Sequence, residues 1–254
     1  MVDIVTCPEW LKEMPKTDLH CHLGGSVRLD TVLELASNYG IQLPATDRDK
    51  LRSEIVYKDK QDKSLASYIK GIKVCESVLI RPEAFQRAAY EICEDAHTEN
   101  VRVLELRFAP TNYVHDSLRL HDVVESTLDG LRKGAKKFNM LTGLIICGIK
   151  SDMKSVREAA EVAVNYQDYG VVGFDLAGRE KGYPPKMYRE VIMPVLHNFL
   201  PVTIHAGEED TVSSIAEAII HLNARRIGHA VTLRESTKLV EYANKTRLGL
   251  EICL

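Results

Sequence analysis

The sequence predicts an α/β fold of the TIM, or (β/α)8, barrel type, and three observations carry that prediction. Strand-like and helix-like segments alternate along the whole chain, the pattern of a parallel sheet with crossover helices. Histidines recur at strand ends: His20 and His22 first, then His205, then His229. The length, 254 residues, suits one large barrel domain or two small ones.

The elements follow in order. Strand candidates cover residues 17–22, 101–108, 141–149, 171–176, 202–205, 226–230 and 247–253. Helical periodicity fills the gaps. A helix over 29–38 starts after Ser26 and stops at Gly40, and one over 81–99 carries Pro82 in its first turn. Further helices are expected over 120–138, 153–169, 187–198, 211–222 and 233–244. Residues 23–100 are too long for a simple crossover and must hold extra helices, an insertion over the C-terminal mouth of a barrel. Within it, the charge-rich residues 46–63 read as a solvated surface. The whole of 1–254 reads as a single barrel domain. Residues 248–254 read as strand seven, after which the last helix, strand and helix of the barrel are absent. On that reading strands one and seven face a gap, and the chain is expected to be poorly stable and prone to self-association.

Composition narrows the class. The chain is 45% hydrophobic and 27% charged, with a net charge of −3 and no basic stripe, which excludes a nucleic-acid partner. There is no N-terminal apolar h-region and no apolar run near the length of a membrane span. The six cysteines are scattered without a C-x-x-C pair, which predicts reduced thiols in a cytoplasmic protein.

The chemistry concentrates at the strand ends, where barrel active sites are built. In a strand, residues i and i+2 share a face, so His20 and His22 project side by side with Cys21 opposite. Two neutral imidazoles held that way form half of a tetrahedral zinc site, and His205 can add a third nitrogen. Glu208 follows His205 at the start of the next loop, and His229 ends the following strand. The competing reading makes these ordinary core histidines, but random burial would not select strand ends repeatedly. His97, His115, His121, His197 and His221 lack such spacing and read as surface or helix-layer residues. Glu105 and Arg107 read as a buried structural pair.

Six segments then carry a resemblance. They are Asp18-Leu19-His20-Cys21-His22-Leu23-Gly24-Gly25-Ser26, Glu105-Leu106-Arg107-Phe108-Ala109-Pro110, Asp175-Leu176-Ala177-Gly178, His205-Ala206-Gly207-Glu208, Arg226-Ile227-Gly228-His229 and Leu250-Glu251-Ile252-Cys253. In order and spacing they resemble the adenosine, adenine and AMP deaminase family of the amidohydrolase superfamily, whose fold is a metal-dependent hydrolase barrel. The resemblance implies one Zn2+ held by His20, His22 and His205, and a purine nucleoside as the small-molecule substrate. Zinc lowers the pKa of water towards about 7, giving hydroxide to attack purine C6. Glu208 matches the residue that protonates N1, a task helped by a dry pocket. His229 matches the histidine that orients the attacking hydroxide. Gly178 resembles the glycine whose N–H reaches N3, and His22 and Gly24 lie on the substrate side.

Two departures stand out. The family commonly reads His-Leu-Asp-Gly, its Asp contacting the ribose 5′-hydroxyl, where this chain has Gly24. The family's Asp-Asp pair on strand eight has no counterpart here. The implied reaction is deamination of adenosine and deoxyadenosine in purine metabolism. Adenine deamination, and a truncated barrel without activity, are the alternatives. A binuclear centre is disfavoured because strand four carries no lysine, and a cytidine-deaminase centre is excluded because no Pro-Cys-x-x-Cys segment exists.

Overall fold

Parallel β/α repeats order this chain, as the alternating pattern requires. The computed structural model describes residues 8–55 and 65–253. Cys7, residues 56–63 of the anticipated charged surface and Leu254 lie outside the described residues. The elements run α1 (Glu9–Glu13), β1 (Lys16–His22), α2 (Leu29–Tyr39), α3 (Arg48–Ile55), α4 (Leu65–Glu76), α5 (Pro82–Thr98), β2 (Val101–Phe108) and α6 (Leu120–Phe138). They continue with β3 (Leu141–Ile149), α7 (Met153–Asn165), β4 (Val171–Ala177), α8 (Met193–His197), β5 (Thr203–Ala206), α9 (Val212–Leu222), β6 (Arg226–His229), α10 (Thr237–Thr246) and β7 (Gly249–Glu251). Strand order follows chain order, β1-β2-β3-β4 in one sheet and β5-β6-β7 in another.

The chain divides into two compact units. Residues up to Glu105 together with Asp122–Thr142 form the first. The long segment after β1 is helical, as its length requires. A short 3-10 turn, Gly24–Ser26, leads from β1 into α2. Leu23, Val32, Leu35, Leu51, Phe85, Ala88, Ile92 and Leu128 are buried and supply the apolar interior of this unit. Arg28 of the α2 entry reaches Glu94 and Asp95 of α5 at 2.7 and 2.6 Å. Arg87 of α5 returns to Glu34 of α2 at 2.8 Å. These pairs are substantially exposed, so they fix the direction of α2 against α5 more than they add stability.

Leu106–His121 and the residues from Gly143 onward form the second unit. Leu144, Ile145, Ile146 and Cys147 are all buried, the continuous apolar run that a parallel strand covered on both faces needs. β3 pairs with β4, β5 with β6, and β6 with β7, all in parallel. Between β4 and β5 a bridge joins Phe174 to Val202, and the Phe174 N–H donates to Pro201 O at 2.9 Å. The Asp152 side chain caps α7, accepting from the N–H groups of Lys154 and Ser155 at 2.9 and 3.2 Å.

Four elements differ from the sequence expectation. The helix expected over 233–244 begins only at Thr237, after a separate 3-10 turn, Val231–Glu235, because Ser236 is extended and its hydroxyl caps α10 by accepting from the Leu239 N–H at 3.3 Å. The helix expected over 153–169 stops at Asn165, and Gln167–Tyr169 forms a separate 3-10 turn before the left-handed Gly170. The helix expected over 187–198 divides into a 3-10 turn, Pro185–Tyr188, and the short α8. Its break is explained by Tyr188, whose buried hydroxyl donates to Lys150 O at 2.6 Å and pins the turn to the end of β3. The last strand contracts to Gly249–Glu251, because Arg247 sits in the left-handed C-cap of α10 with φ 53°. No described helix is long and apolar enough to cross a membrane.

Candidate metal and catalytic site

In the first unit, β1 sets the geometry of its two histidines. Strand alternation puts both rings on one face, with centroids 5.0 Å apart and planes at 61°. Their Nε2 atoms stand 3.2 Å apart. Two nitrogens each about 2.05 Å from one tetrahedral ion would be about 3.3 Å apart, so this pair is already spaced as two ligands of a zinc. The Asp18 carboxylate accepts from the His20 N–H at 3.1 Å and steadies the strand there.

Two residues past His22, Gly24 is buried beneath Glu76 of α4. A Cβ at Gly24 would stand 2.5 Å from Glu76 Oε1 and 2.6 Å from its Cγ, so the Glu76 side chain fills the space a larger residue 24 would need. The sequence departure at Gly24 thus has a structural counterpart on another helix.

In the second unit, the site grows from β4, β5 and β6. His205 on β5 is 5% exposed. Its Nδ1 faces Asp175 of β4 at 2.8 Å from Oδ2 and 3.1 Å from Oδ1, and its own N–H donates to Oδ1 at 3.3 Å. A carboxylate there keeps the proton on Nδ1 and leaves the Nε2 lone pair for a metal. Asp175 is itself held by Arg107 of β2, Nη1 to Oδ2 at 3.1 Å, and receives the Cys147 thiol at 3.5 Å. Arg107 also donates to Glu251 of β7 at 2.7 Å, and Glu251 is joined by Arg226 at 3.0 Å and the Thr203 hydroxyl at 3.1 Å. Burial opposes the Arg107 charge, but Asp175 and Glu251 outweigh it and hold the guanidinium above its ordinary value. Burial likewise pushes the Cys147 thiol well up, so it behaves as a neutral donor.

Register places His205 opposite Gly228 and Ala206 opposite His229. The pleat ends there: His229 and Ala230 both adopt left-handed backbone, φ 65° and 52°. That turn brings the His229 ring to 5.1 Å from the His205 ring and its Nε2 to 3.6 Å from Glu208 Oε2. A non-glycine residue in this region is uncommon, and two in succession at a strand end mark a site of stored strain. Gly207 carries φ 72°, and a Cβ there would stand 2.6 Å from both Ile215 Cδ1 and Thr232 Oγ1. Only glycine allows the chain to turn from His205 to Glu208 so tightly. Glu208 keeps 26% of its side chain exposed and His229 16%, so both remain reachable. Gly178 follows β4 with φ 85°, at the same strand ends.

Every sequence-derived site residue therefore sits at a strand end or in the loop after it. His20, His22 and Gly24 share the first unit, and Gly178, His205, Glu208 and His229 share the second. Of the other histidines, His97 stacks on Phe138 at 5.2 Å, and His121 bonds the Tyr166 hydroxyl at 2.9 Å. The expected buried pair of Glu105 and Arg107 is corrected: Arg107 is buried and forms ion pairs with Asp175 and Glu251, whereas Glu105 is only half-buried.

Sequence reasoning missed the groups that support His205 and Glu208 within the second unit. Asp175 is legible only as part of the Asp175-Leu176-Ala177-Gly178 segment, and Lys150 and Glu180 carry no spacing signal. Lys150 does end an apolar run, where a buried cation is out of place, and that was the available clue. Its ammonium donates to His205 O at 2.6 Å and faces Glu180 Oε1 at 3.7 Å. Burial lowers its pKa against the opposing pull of Glu180.

The family model described as adenosine deaminase matches residues 15–254. An adenosine deaminase from Clostridium perfringens is 36% identical over 244 residues, covering 96% of this chain and 73% of that protein. A probable adenosine deaminase from Dictyostelium discoideum is 32% identical over 245 residues, and there the chain spans only 32% of the relative's length. Among solved structures, an adenine deaminase from Arthrobacter aurescens superposes with a TM-score of 0.84 at 25% identity, covering 94% of this chain and 72% of that one. A zinc-bound amidohydrolase from Burkholderia ambifaria gives the same TM-score and identity, covering 93% of this chain and 65% of that one. These structures share the α/β fold expected from the sequence. With its strand-end histidines, its Asp175–His205 pair and a match running from residue 15 to 254, the chain belongs to the adenosine deaminase family.

Proposed function

We propose that the chain carries a zinc-dependent hydrolytic deaminase site for adenosine and deoxyadenosine, forming the corresponding inosine and ammonia. His20, His22 and His205 would hold the ion. The 3.2 Å spacing of the first two and the Asp175-directed tautomer of the third suit that donor set. Bound zinc supplies Lewis acidity and lowers the pKa of water towards about 7. Glu208 delivers a proton to purine N1, so that the ring can accept charge as water adds at C6. His229 aligns the attacking water and takes up its proton. The backbone N–H of Gly178 donates to purine N3. The partner is a small-molecule purine nucleoside in the cytoplasm.

The observation that carries this reading is the grouping of His205, Glu208 and His229 within one unit, at the ends of adjacent strands. The test is ammonia release from adenosine, deoxyadenosine and adenine by the zinc-loaded protein, with products separated by chromatography. Inosine formation supports the reading. Turnover of adenine alone favours a second reading, which the likeness to the Arthrobacter adenine deaminase and the absent side chain at Gly24 motivate. Turnover of none of the three overturns both.

A further inference from the structure

Two buried charges outside the proposed reacting groups hydrogen-bond to the backbone of the segment that carries them. Glu180 is 2% exposed, and so is Lys150. Glu180 Oε1 accepts from the Glu208 N–H at 3.5 Å. Its Oε2 accepts from the N–H groups of Glu209 and Asp210 at 3.4 and 2.9 Å. Glu209 returns the contact, its Oε2 accepting from the Glu180 N–H at 3.4 Å. Three successive backbone N–H groups converging on one carboxylate form an anion-holding nest whose anion is part of the chain. Lys150 anchors the other end of the same segment through His205 O at 2.6 Å, and balances Glu180 at 3.7 Å.

Burying an ion pair is a poor way to stabilise a fold, because desolvation offsets most of the attraction. Two apolar side chains of similar size would pack as well. What they could not do is hold one carbonyl and three N–H groups at fixed points. We propose that Lys150 and Glu180 are positioning residues for the deamination reaction, fixing residues 205–210 so that the His205 ring and the Glu208 carboxylate keep their mutual placement. The inference rests on the assignment of Glu208 as proton donor. Its structural half, the control of the loop backbone by Glu180, stands apart from that assignment.

The experiment has two readouts. Hydrogen exchange at the amides of Glu208, Glu209 and Asp210 is measured in the zinc-loaded wild type, Glu180→Ala, and the uncharged double variant Lys150→Met/Glu180→Gln. Exchange at these amides is expected to rise about tenfold or more in both variants, and formate is expected to reverse the rise in Glu180→Ala by entering the empty nest. With adenosine as substrate, kcat is expected to fall about 10- to 100-fold at nearly constant KM, with zinc content unchanged. Formate should restore part of the kcat of Glu180→Ala and nothing in Glu208→Gln. The double variant keeps the site free of unpaired charge, so it remains informative if Glu180→Ala does not fold. Unchanged exchange at the three amides, or full kcat in the double variant, overturns the proposal. Absence of any purine turnover in the wild type removes the functional half alone, and the exchange result then decides whether Glu180 holds the loop.

Discussion

His205 Nδ1 donates to the Asp175 carboxylate across 2.8 Å, joining β5 to β4 inside a site where Asp175 is fully buried. Asp175 in turn rests on Arg107 of β2 at 3.1 Å, so the orientation of the His205 ring depends on β2 as well as on β4. Asp175→Asn keeps the shape but offers an amide that can donate to Nδ1, allowing the other tautomer. Zinc affinity should fall about 10- to 100-fold, as measured by competition with a chromophoric chelator. An affinity equal to wild type would show that this carboxylate does not set the ligand.

Glu208→Gln separates proton transfer from coordination. Glu208 follows His205 by three residues and faces His229 at 3.6 Å. An amide cannot cycle a proton at N1, so kcat for adenosine should fall by about 10²-fold or more, with zinc content nearly unchanged. Metal analysis beside a steady-state assay checks both. Loss of zinc, or full rate, would remove Glu208 from its role.

The contrast between these residues shows what a sequence exposes. His20 and His22 were legible because strand geometry alone puts i and i+2 on one face, without knowledge of any neighbour. Helix α6 was legible over its whole extent, Leu120–Phe138, because its apolar positions recur with helical period. Asp175, Lys150 and Glu180 act through residues 30, 55 and 28 positions away, separations that no local pattern encodes. The divided helix near 187–198 failed for the same reason: the Tyr188 hydroxyl is tied to Lys150 O, 38 residues away. Strand seven was overextended because apolar residues continue through Ile252, while its pairing with β6 covers only Gly249–Glu251.

Gly24 and Glu76 form a size pair, so any side chain at residue 24 requires Glu76 to move. Gly24→Ala drives a Cβ into the Glu76 carboxyl and should destabilise the protein by about 1–3 kcal/mol. Adding Glu76→Ala vacates the space and should recover most of the loss. Urea unfolding of the two single variants and the double variant gives the coupling directly. Additive effects would mean that Glu76 moves aside freely. In the wild type, Gly24 offers no side-chain acceptor, so comparison of kcat/KM for adenosine and 5′-deoxyadenosine should show little preference. A preference of several kcal/mol would locate the 5′-hydroxyl contact on another residue.

Two buried thiols predict an alkaline limit to stability. Burial, aided by Glu76, pushes Cys75 up to about 11, and burial pushes Cys93 up to about 12, from an ordinary value of 9.0. The native state therefore keeps protons that the unfolded chain releases. The associated stability is complete below about pH 9 and declines as pH rises towards the folded values, by about 1.4 kcal/mol per pH unit for each thiol. Urea midpoints taken from about pH 8 to about pH 10 should fall more steeply for wild type than for Cys75→Ala/Cys93→Ala. Equal slopes would exclude these thiols as the source.

His229 offers the sharpest division between a structural and a catalytic histidine. Its backbone is left-handed, φ 65°, and a second left-handed residue, Ala230, follows at φ 52°. Asparagine enters that region more readily than most residues, because its short side chain hydrogen-bonds locally. His229→Asn should therefore fold with a melting temperature equal to wild type or higher. The imidazole, however, would be gone from its position beside His205 and Glu208. If that ring aligns the attacking water and accepts its proton, kcat should drop about 10²- to 10⁴-fold while zinc content stays constant. A histidine that served only to end β6 would give the opposite result, with the strain relieved and the rate preserved. Calorimetry, metal analysis and steady-state kinetics on this one variant therefore separate the two roles, and a stable, zinc-loaded, fully active His229→Asn protein would assign the chemistry elsewhere.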